Sequence, residues 1–317
     1  GLQSQTEIAL QMGLQGLGYM HSDLGGFAGD NLDDELYTRW LQYGVFQPIF
    51  RPHAQEEVPS EPVFRSEEAL KLSKKAIDLR YALLPYNYHL VFENNTQGLP
   101  LMRPLFFEDS RLEMNTVSST YFWGNDFLIS PVTKAGQEQQ MVDFPNTGNW
   151  YDFYSNKAYV GGKSQFVNTV KTSIPTFVRG GAIIPMIDPI QSTDEYELNN
   201  FQLHYYFDQK VKKSQRFIYN DNGLLANAYE KDQYELLKVT AQQNSNRIQM
   251  ELSATKGMHF NFDKKEIELV VHNMKKAPNK VLTKNDKLNY HYDQLSQTFR
   301  MNLSWEPSSK KIINIKF

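Results

Sequence analysis

The stretch LGYMHSDLGGF, residues 17–27, joins a short apolar run to a polar tip that contains two glycines. The run over 17–20 predicts a buried strand that delivers the side chains of 21–23 at its C-terminal end. Adjacent glycines at such a point let a ligand approach the backbone closely. There, Asp23 can accept hydrogen bonds from vicinal hydroxyls and Phe27 can pack against a sugar face. An ordinary turn explains the same residues equally well.

The following segments repeat this arrangement. A helix is predicted over 33–46, and residues 45–50 resemble a second buried strand with the polar tip 51–53. At that tip Arg51 can clamp a carboxylate and His53 can donate to a hydroxyl. A long helix over 66–93, kinked at a proline, comes next. This order predicts βα units of a parallel sheet or barrel, in which active sites lie at the C-terminal rim of the strands.

The rest of the chain differs in its glycine and proline content and in the spacing of its apolar runs. Sixteen of the 18 glycines and 11 of the 14 prolines precede residue 188, which indicates a domain boundary near that point. Short aromatic or β-branched runs between turn residues predict a β-sandwich over 105–188, and alternating segments predict a second one over 189–317. The main predicted strands are 121–132, 141–144, 150–154, 166–170, 176–185, 201–207, 215–219, 247–252, 266–271 and 311–317.

Composition narrows the function classes. The absence of cysteine excludes disulfide scaffolds and thiolate metal sites, and a net charge of −3 without a basic cluster argues against nucleic acid. No apolar run reaches the roughly 18 residues of a membrane span. The acidic run 30–35 lacks the spacing of a calcium loop and predicts a solvated helix start. We therefore expect no metal, no cofactor and no membrane segment.

Together these segments resemble the last two strands of the catalytic barrel in family 31 glycoside hydrolases, the α-glucosidase and α-xylosidase family. The resemblance is dense over 1–186 and thins to the turn 219–223. It rests on residues 18–27, 39–40, 50–53, 79–86, 102–105, 123–132 and 175–181. It implies an α/β plus all-β chain, with the C-terminal portion of a (β/α)8 barrel over 1–104 and two β-sandwich domains over 105–188 and 189–317.

The resemblance also implies roles for four residues. Asp23 and His53 would bind substrate hydroxyls in the −1 subsite, Phe27 would shape that subsite, and Arg51 would orient its acids. By the family's pattern, these residues belong to the substrate-binding site and not to the catalytic pair.

The catalytic pair itself is expected elsewhere. Retaining hydrolysis needs two carboxyl groups about 5–5.5 Å apart. In the family these aspartates lie on earlier barrel strands, in W-x-D-M-N-E-like and W-x-G-D-like segments. Residues 113–115 and 123–126 look similar but follow the barrel part, so we assign no catalytic residue to this chain. Because a full barrel takes about 250 residues, we expect a C-terminal fragment.

The resemblance favours part of a retaining α-glucosidase that acts on α-linked oligosaccharides or glycosides. An α-glucan transglucosylase or an α-xylosidase of the same family is an alternative, and non-catalytic carbohydrate-binding sandwiches are another. An open barrel edge predicts a partner, either the N-terminal remainder of the enzyme or a second copy. The compartment stays open, with a lean towards secretion or the periplasm.

Overall fold

The computed structural model of the chain contains two compact units. It describes residues 1–29, 33–244, 246–283 and 288–317. The first unit comprises residues 1–80 and 93–179, and the second comprises 81–92 and 180–317. The predicted division into three domains, 1–104, 105–188 and 189–317, stays a prediction.

Four α-helices occur in the described residues, all in the first third of the chain. They are α1 (Leu2–Leu14), α2 (Asp34–Gly44), α3 (Glu67–Ala82) and α4 (Leu84–Gln97). Helix α2 begins where the acidic run predicts a helix start, because the Asp33 carboxylate accepts a hydrogen bond from the Leu36 N–H at 3.0 Å. Residues 30–32 of that run lie outside the described residues.

The predicted kink in the long helix is confirmed as a break between α3 and α4. Pro85 lies in the first turn of α4, where its missing N–H leaves no hydrogen bond unmade. In a continuous helix the proline ring would clash with the carbonyl of Tyr81. The chain therefore ends one helix at Ala82 and starts the next at Leu84.

The two buried strands predicted at 17–20 and 45–50 are wrong. Leu17 and Tyr19 are about half exposed, and Val45 caps the end of α2. Beyond the two predicted strands, the described part of the chain forms a single isolated parallel bridge, Leu24 to Pro52. A strand exists only where its backbone groups form a ladder with a neighbour, and one bridge is too short a ladder. The polar tips lie beside each other as predicted, but irregular backbone carries them.

The first unit also contains a β-sandwich. Its strands are β1 (Met102–Arg103), β2 (Tyr121–Trp123), β3 (Phe127–Ile129), β4 (Gln139–Phe144), β5 (Asn149–Asp152), β6 (Ala158–Val160), β7 (Lys163–Asn168) and β8 (Thr176–Arg179). Six strands form a sheet in the order β1-β2-β3-β8-β5-β6, and β4 pairs with β7. Phe122, Trp150 and Phe177 of the sheet share one core with Phe144 and Val167 of the hairpin.

The second unit is another sandwich, of two five-stranded sheets. Its strands are β9 (Ile183–Met186), β10 (Asn200–Tyr206), β11 (Lys213–Asn220), β12 (Glu235–Asn244), β13 (Arg247–Lys256), β14 (Lys265–His272), β15 (Lys280–Leu282), β16 (Tyr290–Asp293), β17 (Thr298–Trp305) and β18 (Lys311–Lys316). One sheet has the order β16-β17-β14-β10-β9 and the other β11-β12-β13-β18-β15. Inward-facing apolar residues of both sheets form a single core. Four α-helices in the first third of the chain, followed by two β-sandwiches, agree with the predicted α/β plus all-β class.

Candidate functional site

The backbone around Leu24 positions the first polar tip against the second. Leu24 is fully buried, and its N–H donates to the Arg51 carbonyl at 3.2 Å. The His53 N–H donates in turn to the Leu24 carbonyl at 3.3 Å. These two hydrogen bonds form the parallel bridge and fix which side chains of the two tips are neighbours.

The four predicted site residues form two contacting pairs across this bridge. The Arg51 Nη2 atom lies 3.2 Å from the Asp23 Oδ1 atom. The rings of Phe27 and His53 have centroids 5.8 Å apart and are tilted by 49°. All four side chains keep solvent access, and Phe27 is 47% exposed. The structure therefore brings the predicted residues to one accessible surface.

The turn after Leu24 requires glycine at its first position. Gly25 has φ +106°, and a Cβ atom placed there would lie 2.6 Å from the Tyr37 ring. The Tyr37 ring is fixed, because its hydroxyl donates to the Ser60 carbonyl at 2.8 Å and the Arg65 guanidinium lies over its face. A substituted residue would collide with this ring as well as strain the backbone.

Buried polar groups hold the second tip in place. The Arg80 guanidinium donates to the carbonyls of Val45, Gln47 and Pro48 at 2.6–3.0 Å. Burial lowers the pKa of Arg80 to about 10. The Gln47 Nε2 also donates to the Ser22 hydroxyl at 2.9 Å, which is a further hydrogen bond between the two tip regions. Sequence patterns alone do not predict these supporting roles of Arg80 and Gln47. The one sequence feature that indicates such a role is a charged residue, Arg80, within a largely apolar helix face.

The two acidic segments that resemble catalytic motifs have structural partners. Glu113 is exposed and lies 3.3 Å from Arg111. Asp126 is buried and lies 3.6 Å from Arg179. The proposal that neither carboxylate is catalytic stays a prediction. Among the described residues, no three His, Asp or Glu side chains lie close enough to hold a metal ion, and no helix is long and apolar enough to cross a membrane.

The arrangement suits a ligand that carries several hydroxyl groups. One oxygen of Asp23 is engaged by Arg51, which leaves the other to accept from a hydroxyl. The imidazole of His53 can donate to or accept from a second hydroxyl. Phe27 adds an accessible apolar ring that can pack against the C–H face of such a ligand.

Comparison with known proteins identifies the family of two successive segments of the chain. Residues 1–90 match the glycosyl hydrolases family 31 TIM-barrel domain, and residues 98–184 match the glycosyl hydrolase family 31 C-terminal domain. The chain is 35% identical over 206 residues to a probable glucan 1,3-alpha-glucosidase of Oryza sativa subsp. japonica, covering 63% of this chain and 22% of that protein. It is 32% identical over 245 residues to an alpha-xylosidase of Saccharolobus solfataricus, covering 75% of this chain and 33% of that protein.

A solved structure extends the similarity to nearly the whole chain. A GH31 dextranase of Flavobacterium johnsoniae in complex with glucose superposes with a TM-score of 0.92 at 26% identity, covering 99% of this chain and 41% of that one. A substituted form of the same dextranase was solved with isomaltotriose and superposes with a TM-score of 0.91. The chain thus spans between about a fifth and two fifths of the length of these relatives.

Proposed function

The chain belongs to glycoside hydrolase family 31, and from this premise we propose that it forms part of a retaining α-glycoside hydrolase. The finer assignment is an α-glucosidase that cleaves α-linked glucose from oligosaccharides or glycosides. The glucosidase relative and the dextranase with bound glucose support it. The nucleophile and the acid/base are assigned to polypeptide that precedes the barrel segments present here.

The observation that carries the proposal is the Asp23–Arg51 pair beside Phe27 and His53. In this proposal Asp23 accepts hydrogen bonds from hydroxyls of the sugar in the −1 subsite. Arg51 holds that carboxylate in its orientation through the 3.2 Å contact. His53 binds a further hydroxyl and Phe27 covers one face of the ring. Hydrogen bonds of this kind strengthen as the sugar approaches the oxocarbenium-like transition state.

An α-xylosidase of the same family is the alternative, because the relatives include the alpha-xylosidase of Saccharolobus solfataricus, which aligns with 75% of this chain. Xylose lacks the hydroxymethyl group of glucose. Comparing the hydrolysis of 4-nitrophenyl α-glucoside and α-xyloside by the full-length protein distinguishes the two specificities.

Exposed apolar side chains in the first 27 residues support the proposal of a covering partner. Leu14, Leu17 and Tyr19 are each about half exposed and lie close together in sequence with Phe27. Clustered exposed apolar residues mark surfaces that another polypeptide covers. We assign that role to the N-terminal remainder of the enzyme or to a second copy of the chain. Light scattering that shows a soluble monomer of this chain alone contradicts the assignment.

The test of the site uses the full-length protein encoded by the gene. We expect Asp23→Asn to lower kcat/KM for 4-nitrophenyl α-glucoside by roughly 100-fold or more, because it removes charge-assisted hydrogen bonds to the substrate. Asp78→Asn is the matched control, since Asp78 also pairs with a cation and its side chain is 37% exposed against 32% for Asp23. Equal activity of the two variants overturns the assignment of Asp23.

A second measurement tests where the catalytic pair lies. The isolated 317-residue chain is expected to show no hydrolysis of 4-nitrophenyl α-glucoside above the uncatalysed rate. Hydrolysis by the pure chain that disappears in Asp23→Ala would mean that the chain contains its own reactive carboxyl groups.

A further inference from the structure

A groove of about 300 Å³ lies on the outer face of the second unit, over strands β10, β14 and β17. The strand register sets its polar side chains in rows. Gln202 lies opposite Glu268, which lies opposite Asn302. In the next row, Asn200 lies opposite Glu266. Asp188, just beyond the end of β9, completes the polar lining.

The polar side chains of the groove share one face because side chains alternate between the two faces of the sheet. Phe201, Leu203 and Ile267 point into the core of the sandwich and are nearly fully buried. Their neighbours at alternate positions therefore face outwards.

The carboxylates of the groove are only partly satisfied. Glu268 Oε1 accepts from Arg300 at 2.9 Å, and Glu266 Oε1 accepts from the Ser304 hydroxyl at 3.0 Å and pairs with Lys264 at 2.8 Å. These bonds all use one oxygen of each carboxylate. The second oxygen of each remains a hydrogen-bond acceptor, as does the side-chain carbonyl of Asn302.

A chain of hydrogen bonds fixes the orientation of the Gln202 side chain. The Gln202 Nε2 donates to Asp188 Oδ1 at 3.3 Å, and its Oε1 lies 2.9 Å from the His204 Nε2. The His204 Nδ1 lies 2.9 Å from the His272 Nε2. With the Gln202 oxygen accepting, His204 is protonated on Nε2 and accepts on Nδ1 from His272. This order leaves only one orientation for the Gln202 amide, so the edge of the groove at Asp188 is preorganised.

The charges of the groove favour a neutral ligand. Three carboxylates are offset by the paired cations Lys264 and Arg300, so little net charge remains. Among the described residues no cluster suits a metal ion. What remains is a surface rich in acceptors and amides, which complements the many hydroxyl donors of an uncharged sugar.

We propose that this groove, lined by Asp188, Gln202, Glu268 and Asn302, is a second glycan-binding site that holds a neutral oligosaccharide and uses neither Asp23 nor His53. It does not depend on the hydrolytic activity proposed above. Such a site retains a polymer chain by hydrogen bonds across three neighbouring strands, whose spacing is about 4.8 Å.

The test is affinity electrophoresis of the full chain in gels that contain dextran or soluble starch. We expect wild-type protein to be retarded by at least one polymer, and Glu268→Gln and Asn302→Ala to bind roughly 10-fold more weakly. Glu251→Gln is the matched control. Like Glu268, Glu251 pairs with a long cation at 2.8–2.9 Å and its side chain is 30% exposed. We expect it to migrate as the wild type does.

Three results overturn the proposal. One is wild-type protein that neither polymer retards. Another is a Glu268→Gln variant retarded as strongly as the wild type while its urea unfolding is unchanged. The last is complete loss of retardation in Asp23→Asn alone, which assigns all binding to the other site. Activity of the full-length enzyme is measured separately, so failure of this proposal and failure of the hydrolase proposal are distinguishable.

Discussion

The imidazole rings of His204 and His272 lie side by side, with centroids 5.2 Å apart and planes tilted by 21°, and share a 2.9 Å hydrogen bond between Nδ1 and Nε2. The rings lie on neighbouring parallel strands, and the Tyr206 ring stacks on His272 with centroids 4.4 Å apart. Burial lowers the pKa of His204 to about 4 and that of His272 to about 3, and the nearby Arg300 charge acts in the same direction. The folded protein therefore holds both rings neutral.

This pair predicts acid sensitivity of the second unit. Unfolded histidine has a pKa of about 6.5, so between pH 6.5 and pH 4 the unfolded chain binds protons that the folded chain excludes. The contribution of the two histidines to the free energy of unfolding is fully present above pH 6.5 and is lost as the pH drops through this range. We expect a loss of roughly 2–4 kcal/mol in the free energy of unfolding between pH 7 and pH 5, measured by urea denaturation.

Two variants isolate the contribution of the pair. The double variant His204→Asn/His272→Asn is expected to lose most of this pH dependence, although it is less stable at pH 7. His259→Asn removes an exposed histidine of the same unit and should keep the full pH dependence. If the double variant retains the wild-type slope, the acid sensitivity arises from other groups.

A buried ion pair ties the two sheets of the second unit together. Lys265 on β14 lies 2.6 Å from Glu235 on β12, and their side chains are 1% and 0% exposed. We expect Lys265→Met to destabilise the protein by roughly 3–5 kcal/mol, because it leaves Glu235 charged and unpaired in the core. Lys265→Met/Glu235→Gln should regain most of that loss, since the amide needs no counter-charge and can still accept from Asn220. Urea unfolding measures both.

An exposed pair provides the comparison. Lys310→Met breaks the surface contact with Glu251 and should cost less than about 1 kcal/mol. A double variant no more stable than Lys265→Met alone contradicts the view that unpaired charge is the source of the destabilisation.

The glycine turn beside Asp23 predicts a difference between two apparently equivalent substitutions. Gly25 and Gly29 have φ of +106° and +104°, so alanine strains the backbone at both, by about 1–2 kcal/mol. Only at Gly25 would the new Cβ meet another group, the Tyr37 ring at 2.6 Å. We expect Gly25→Ala to cost a further 1–3 kcal/mol, roughly, and to reduce sugar binding. Equal unfolding midpoints for the two variants rule out the collision.

Local chemistry explains the features that the sequence predicts well. The break before Pro85 follows from one residue that cannot continue a helix. The start of α2 follows from acids in its first turn. Alternating patterns locate strands such as β10 and β14, because one face of each is buried in the sandwich.

Features that depend on distant partners are less predictable. The runs at 17–20 and 45–50 have the composition of buried strands, yet a strand forms only when a neighbour supplies a ladder, and composition does not reveal the neighbour. Arg80 contacts carbonyls more than 30 positions away. The contact of Asp23 with Arg51 is expected from their places at successive strand ends, but the glutamine and arginine that hold the two tips are not.

The position of β18 sets the order in which the last sheet can be completed. These six residues lie between β13 and β15, so the final strand in sequence is an interior strand of its sheet. During synthesis, the backbone groups at this edge of β13 stay unpaired until residues 311–316 leave the ribosome. The second sandwich therefore closes only after its whole sequence has been translated, and a nascent chain needs a means of shielding that edge from neighbouring polypeptides until then.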